Sequence, residues 1–174
     1  GRKEISYQWY QWASAIQPGN TVYWDVVAQS KVDLFRVSGN PVRLAEAVEH
    51  IQLCRDLNTL DARFPARLGS LYLLMADQLT KSEEKERLIA AASKSFEEAI
   101  VLDPFSPFNY VELGKLRWKQ GKLDEARDFF VRALDYEPNF LPVRALLAML
   151  ASSNGLSDQA KAEFGRIRET QGRY

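Results

Sequence analysis

The sequence lacks the residues on which several common folds and sites depend. Its 174 residues include one cysteine, Cys54, and one histidine, His50, so neither an internal disulfide nor a zinc site built from cysteines is available. Neither sign of charge is in excess, with 23 basic and 23 acidic residues, which removes the bulk electrostatic attraction to nucleic acid or anionic lipid. No uncharged apolar run approaches the roughly 20 residues that cross a bilayer. We therefore expect no nucleic-acid partner and no direct membrane insertion by this chain.

The most informative feature present is an internal repeat with a period of 34 residues. Apolar residues are 46% of the chain, enough to bury a core. Six columns of residues recur at the same spacing, and such a spacing is typical of stacked copies of one supersecondary unit. The columns are Ala92, Ala126 and Ala160; Phe96, Phe130 and Phe164; Ala99, Ala133 and Ile167; Pro104 and Pro138; Gly121 and Gly155; Leu113 and Leu147.

The copy at residues 107–140 predicts two antiparallel helices. Pro107 suits the first turn of a helix, where its missing N–H would have no partner, and a glycine at 121 is suited to end that helix in the left-handed conformation. Residues 123–136 carry an apolar stripe at helical spacing, which predicts the second helix. Gly114 and Ala126 have small side chains, so we expect the two helices to approach closely there, beside Phe130.

These residues resemble the tetratricopeptide repeat, a helix–turn–helix unit of the same length. The matching pattern is Tyr110-x2-Leu113-Gly114, followed by Ala126-x3-Phe130. The resemblance implies an all-α fold, a right-handed α-solenoid of about four hairpins after one leading half-repeat helix. The sequence departs from the family pattern at two positions where the family usually has an aromatic residue. At Arg117 we expect the guanidinium to reach solvent, and Arg144 takes the aromatic position in the last copy.

Weaker copies extend the repeat toward the start of the chain. One copy is marked by Leu68-Gly69 and Phe96. It has an insertion at the charged residues 81–87, and we expect this copy to have longer helices joined by a solvated turn. We expect one domain over 1–174, divided into a half-repeat helix (3–17), an atypical hairpin (20–58), a repeat with an insertion (62–104) and two regular repeats (107–140 and 141–174). Since Gly1 is not an initiator methionine, we expect a processed product or an expressed fragment.

No combination of side chains indicates catalysis, a metal or a cofactor. His50 and Cys54 lie at i and i+4 on one helical face, a spacing that a metal accepts, but two ligands do not complete a site. The alternative favoured here is a small buried Cys54 with His50 near the helix surface. Carboxylate pairs such as Glu83-Glu84 fall on predicted solvent faces or helix starts, and a solvated, helix-capping role explains them more simply than acid–base catalysis. We expect a protein that is not an enzyme.

The resemblance also implies a binding surface, because the first helix of each hairpin lines the concave face in this family. Trp118 lies off the packing stripe of its helix, so it either faces this groove or packs against the next hairpin. A groove with an exposed indole beside lysines would suit an acidic or aromatic peptide. The residues carried over to the groove are Asp25, Gln29, Arg63, Ser70, Phe108, Val111, Lys115, Trp118 and Lys119.

Three functional hypotheses follow from these observations. The first is a non-catalytic scaffold that binds a partner peptide or protein subunit in the groove. The second rests on the long irregular hairpins and the N-terminal half-repeat rich in Tyr and Trp, which are similar to the extracytoplasmic tails of bacterial O-antigen ligase and polymerase-type membrane proteins. The third is self-association through the C-terminal end of the chain. The compartment stays open: cytoplasmic, or periplasmic for such a tail.

Overall fold

Helices account for the regular secondary structure of the residues described in this computed structural model, 2–80 and 82–171, with side chains described for 8–80 and 82–169. The described helices are α1 (Arg2–Ile16), α2 (Thr21–Ser38), α3 (Val42–Leu57), α4 (Arg63–Asp77), α5 (Glu83–Leu102), α6 (Pro107–Lys119), α7 (Leu123–Tyr136), α8 (Leu141–Ser153) and α9 (Ser157–Gln171). The expected all-α class of helical hairpins is confirmed.

Two compact units divide the helices. The first, Gly1–Leu102, holds α1 to α5, and the second, Asp103–Tyr174, holds α6 to α9. Four hairpins pair α2 with α3, α4 with α5, α6 with α7 and α8 with α9. The expectation of one domain over 1–174 stays a prediction. Of the expected segments, Gly1, Lys81 and residues 172–174 lie outside the described residues.

Glycines end the first helices of three hairpins. Gly39, Gly121 and Gly155 follow α2, α6 and α8, and their φ angles are 67°, 76° and 74°. Residues with a Cβ rarely adopt this left-handed conformation, so a glycine here lets the chain reverse at once into the second helix.

The α4–α5 hairpin contains the longest of the described helices. Helix α5 has 20 residues, whereas α7 has 14. The charged residues from Glu83 onward belong to the first turn of α5, so the insertion lengthens this helix. Acidic side chains at that end interact favourably with the helix dipole.

The core of each unit forms where its hairpin helices face each other. In the first unit Leu44, Ile51, Phe64 and Leu68 are buried in one cluster with Cys54. The second unit has its own core, formed by Leu113, Leu116, Phe130, Val143 and Ala148.

Two glycines leave room for a phenylalanine ring from the other helix of the hairpin. A Cβ added to Gly69 would come within 2.7 Å of Phe96, and one added to Gly114 within 2.6 Å of Phe130. Both rings are fully buried. The close approach expected from Gly114 is therefore present, and the α4–α5 hairpin repeats it.

A hydrogen bond to a loop carbonyl recurs at the start of three first helices. The Trp24 indole N–H donates to the Pro18 carbonyl and the Tyr110 hydroxyl to the Pro104 carbonyl, each at 2.9 Å. Arg144 donates to Pro138 through Nη2 at 2.6 Å and through Nε at 3.1 Å. The donor follows its acceptor by six residues each time, so Arg144 makes the same contact as the aromatic residues.

The structure corrects the expectation that the Arg117 guanidinium reaches solvent. The side chain of Arg117 is only 14% exposed, and its Nε lies 2.9 Å from the Glu125 carboxylate of α7. The guanidinium therefore joins the two helices of its hairpin rather than reaching solvent.

Candidate functional site

In the first unit, predicted groove residues of α2 meet a residue of α4. Arg67 places Nη1 2.6 Å from the Asp25 carboxylate and donates from Nη2 to the Gln29 side-chain oxygen at 3.0 Å. Gln29 in turn donates to Asp33 at 3.1 Å. Asp25 and Arg67 are about one-third exposed, so the cluster is accessible and also held in one geometry by its contacts.

The other two predicted residues of this unit continue the same face of α4. Arg63 is exposed and pairs with Asp61 at 2.6 Å, which lowers the pKa of the Asp61 carboxyl through hydrogen bonds from Arg63. Ser70 is exposed, with its hydroxyl donating to the Ala66 carbonyl. Arg63, Arg67 and Ser70 follow the i, i+4, i+7 spacing of one helix face, and this spacing is the signal that could have identified Arg67 from the sequence.

In the second unit the predicted groove residues of α6 have different environments. Phe108 is exposed and contacts the Phe140 ring edge-to-face at 5.2 Å. The Lys115 ammonium lies 2.7 Å from the Glu112 carboxylate, and Lys119 is exposed. Val111, however, is only 5% exposed, so it belongs to the core of this unit and offers no accessible surface to a ligand.

Trp118 is half-buried against its own hairpin. Its ring meets the fully buried Phe130 ring edge-to-face, with 6.3 Å between centroids. The indole therefore contacts the second helix of its own hairpin. Its role in a groove stays a prediction.

His50 and Cys54, the two side chains considered as metal ligands, make structural contacts. His50 stacks on Trp24 at 5.2 Å, and burial lowers the pKa of His50. Cys54 is fully buried, its S–H facing the Thr21 carbonyl at 3.4 Å, and burial raises the pKa of Cys54 to about 12. A thiol with that pKa is a poor nucleophile at neutral pH.

Among the residues that the structure describes, no group of three or more His, Cys, Asp or Glu side chains is placed to hold a metal ion. No helix within this part of the chain has the length and apolar character to cross a membrane.

Comparison with known sequences supports the repeat assignment. A family model described as tetratricopeptide repeat matches residues 117–173, about a third of the chain. The protein CTR9 homolog of Arabidopsis thaliana is similar over 101 residues, with 32% identity; the match covers 58% of this chain and 8% of that protein. The chain thus spans a small part of the length of this relative.

Solved structures with similar folds include MamA proteins and a thermophilic repeat protein. The crystal structure of MamA superposes with a TM-score of 0.77 at 19% identity, covering 98% of this chain and 90% of that one. MamA from Desulfovibrio magneticus RS-1 gives 0.77 at 13% identity, covering 99% and 88%. TTC0263, a thermophilic TPR protein of Thermus thermophilus, gives 0.75 at 19%, covering 98% and 84%. Residues 117–173 thus match the tetratricopeptide repeat family, and the chain has the fold of tetratricopeptide-repeat α-solenoids.

Proposed function

We propose that this chain is a non-catalytic scaffold that binds a protein or peptide on the first helices of its hairpins. The observation that carries the proposal is the Asp25–Arg67–Gln29 cluster, in which two consecutive first helices of the first unit form one polar surface. Its ion pair and hydrogen bond fix side chains that would otherwise lose rotamer freedom on binding, which lowers the cost of association.

The two units favour different chemical groups. Arg63 and Arg67 present N–H donors to carboxylate or carbonyl oxygens of a bound segment, and the Ser70 hydroxyl oxygen can accept a hydrogen bond. On α6, Phe108 and the accessible part of Trp118 lie on a helix that also carries lysines, a combination that suits an aromatic or acidic segment. Neither set resembles a catalytic arrangement of nucleophile and base.

The test begins with a peptide selected on the whole 174-residue chain from a randomised display library. Its affinity is measured by fluorescence anisotropy for the wild type, for Arg67→Ala and for the double variant Lys115→Glu, Lys119→Glu. Depending on which unit the peptide binds, one of these variants is expected to weaken binding about tenfold or more.

The matched control is Lys94→Glu, a charge reversal on the second helix α5, outside the first-helix surfaces. It should leave the affinity unchanged. If the peptide binds Arg67→Ala and the lysine double variant as tightly as the wild type, the first-helix surfaces are not where partners bind.

A second candidate function, the extracytoplasmic tail of a bacterial membrane enzyme of O-antigen polymerisation or ligation, is favoured by the aromatic residues of α1. Trp9 and Trp12 are exposed and contact each other edge-to-face at 5.3 Å, and exposed indoles are typical of membrane–water interfaces. The decisive measurement is the gene sequence upstream of Arg2. Several apolar helices encoded there would favour the tail, and a short polar leader would contradict it.

A further inference from the structure

Helix α1 has the position of a second helix in the repeat. The residue six positions after Pro18 donates a hydrogen bond to its carbonyl, and the same bond is made to the carbonyl of Pro104, so these two prolines are equivalent. Counting back eight residues from each proline aligns Tyr10 of α1 with Phe96 of α5. Tyr10 is therefore the counterpart of a ring that a complete hairpin buries against a glycine of its first helix.

The face that α5 buries within its hairpin is exposed on α1. Phe96 and Ala99 are fully buried. Their counterparts are accessible, since Tyr10 is 36% exposed and Ala13 is half-buried. The Tyr10 ring borders α2, with 6.1 Å between its centroid and that of Tyr23. Helix α3 packs against both α2 and α4, whereas α1 packs against α2, so the side of α1 that a first helix would cover is open.

This exposed face of α1, the α1 stripe, is apolar and uncharged. It consists of Trp9, Tyr10, Trp12, Ala13 and Ile16, which lie on one side of the helix because three, four or seven residues separate them. Trp9, Trp12 and Ile16 are each more than half exposed. Residues 8–16 include no charged side chain. A charge placed over the stripe would be buried without a partner, which is costly, so an occupant must present an apolar face.

The complete hairpins show which kind of helix fits over such a stripe. Gly69 faces Phe96 and Gly114 faces Phe130, and a Cβ at either glycine would come within 2.7 Å of the ring. Tyr10 has a ring of the same size, so a helix at the same spacing needs a glycine opposite it. The recurring contact and the missing charge together favour a helical occupant over an extended or charged segment.

We propose that the α1 stripe binds a helix of a partner protein, and that this helix has the pattern of the first helices of this repeat: an apolar, uncharged face with a glycine opposite Tyr10. The site goes beyond the proposed first-helix surfaces, because it lies on a second helix and completes a hairpin. Burial of the two indoles supplies most of the affinity, and the glycine selects among helices because a larger side chain clashes with the ring.

The probe is a synthetic copy of α6, Pro107–Lys119, and the control peptide differs from it only by Gly114→Leu. An isolated helix of this length is marginally stable, so in both peptides a hydrocarbon cross-link replaces the side chains of Lys115 and Lys119. Fluorescence anisotropy with the whole chain should show the glycine peptide binding about tenfold more tightly than the leucine peptide. Leucine is the better helix former, so helix propensity would give the opposite order.

Variants of the α1 stripe locate the binding. Trp9→Glu and Ile16→Glu should each weaken the glycine peptide about tenfold or more, because each places a charge in the contact. The matched control is Phe105→Glu, which changes an exposed aromatic residue of the second unit and should leave the affinity unchanged. Circular dichroism verifies that each variant is folded.

The proposal is overturned if the glycine peptide fails to bind at about 1 mM, if the leucine peptide binds equally well, or if both α1 variants bind like the wild type. Vesicles of phosphatidylcholine and phosphatidylglycerol are tested in parallel. Vesicle binding that requires Trp9, with no binding of the glycine peptide, would assign the stripe to a membrane surface instead. None of these results bears on the first-helix surfaces, which are tested with other residues and a selected peptide.

Discussion

The hairpins α6–α7 and α8–α9 differ at a pair of positions that the repeat makes equivalent. In the first, Gly114 faces Phe130, which is fully buried; in the second, Ala148 stands at the glycine position, and Phe164 is 48% exposed. Since a Cβ on Gly114 would lie 2.6 Å from the Phe130 ring, Ala148 leaves no room for a ring in that place. The exposed phenylalanine thus occurs where a methyl group replaces the hydrogen of the glycine.

The first unit contains the glycine–phenylalanine pair and a third combination. Gly69 is combined with the buried ring of Phe96, whereas Ala28 is combined with Ile51, a smaller side chain that is also fully buried. A small residue on the first helix and a large one on the second therefore share a limited volume, as expected of a close-packed interior. Of the four described hairpins, the last alone combines alanine with phenylalanine.

The largest effect should come from filling the space that distinguishes these hairpins. Gly114→Leu would displace the Phe130 ring, and overpacking a buried contact of this kind costs about 3 kcal/mol in free energy of unfolding. Urea denaturation measures the change. The matched control is Gly165→Leu on α9, where an added Cβ has nothing within 4 Å and the gain in helix propensity makes the variant at least as stable. Equal effects at the two glycines would contradict the assigned contact.

The hydrogen bond to the loop carbonyl offers a second way to compare the hairpins. Arg144→Met removes two hydrogen bonds to the Pro138 carbonyl and the ion pair with Glu163, so we expect a loss of about 2 kcal/mol. Tyr110→Phe removes a single neutral hydrogen bond to Pro104 and should cost about 1 kcal/mol. Thermal and urea unfolding report both values. If Arg144→Met were the milder change, the charged donor would add nothing to the contact.

A substitution with a smaller effect on stability should make the two hairpins more alike. Ala148→Gly normally costs about 1 kcal/mol in a helix, but here it gives Phe164 room to turn inward, and that burial offsets a similar amount. We expect a net change near zero. In a Phe164→Ala background the same substitution should show its full cost, and the difference between the two measurements is the coupling between the positions.

The smallest effect concerns association. The exposed Phe164 lies on α9, and the self-association predicted for this end of the chain would bury it. Sedimentation velocity should show weak association that rises with concentration, and Phe164→Asp should abolish it while Met149→Asp on α8, also exposed, does not. A wild-type chain that sediments as a monomer at every concentration would refute the prediction.

The sequence was sufficient to predict the helical hairpins because their signals are local. Spacing of apolar residues, the left-handed glycine at 121 and the prolines in the loops depend on a few neighbouring residues. The same reasoning identified Gly114 as a site of close approach, since a missing Cβ has a steric meaning that the repeat makes visible.

The candidate sites were less predictable because they depend on contacts between distant residues. Arg67 joins Asp25 from 42 positions away, and Trp118 is half-buried because Phe130 of the following helix lies beside it. Val111 is buried although it follows the exposed helix-start residue Phe108 at i+3. Side-chain direction in such cases is set by tertiary packing, which the periodic pattern does not encode.

The hydrogen bond from residue 144 to the loop six positions earlier has a consequence for recognising distant copies of this unit. An indole, a phenol and a guanidinium are chemically unlike, yet Trp24, Tyr110 and Arg144 saturate the same kind of acceptor. A search profile that rewards only aromatic letters in this column scores Arg144 as a mismatch. Aligning repeats by the hydrogen bond donated at this position would place all three residues in one class. It would extend detection to copies whose sequences have diverged there.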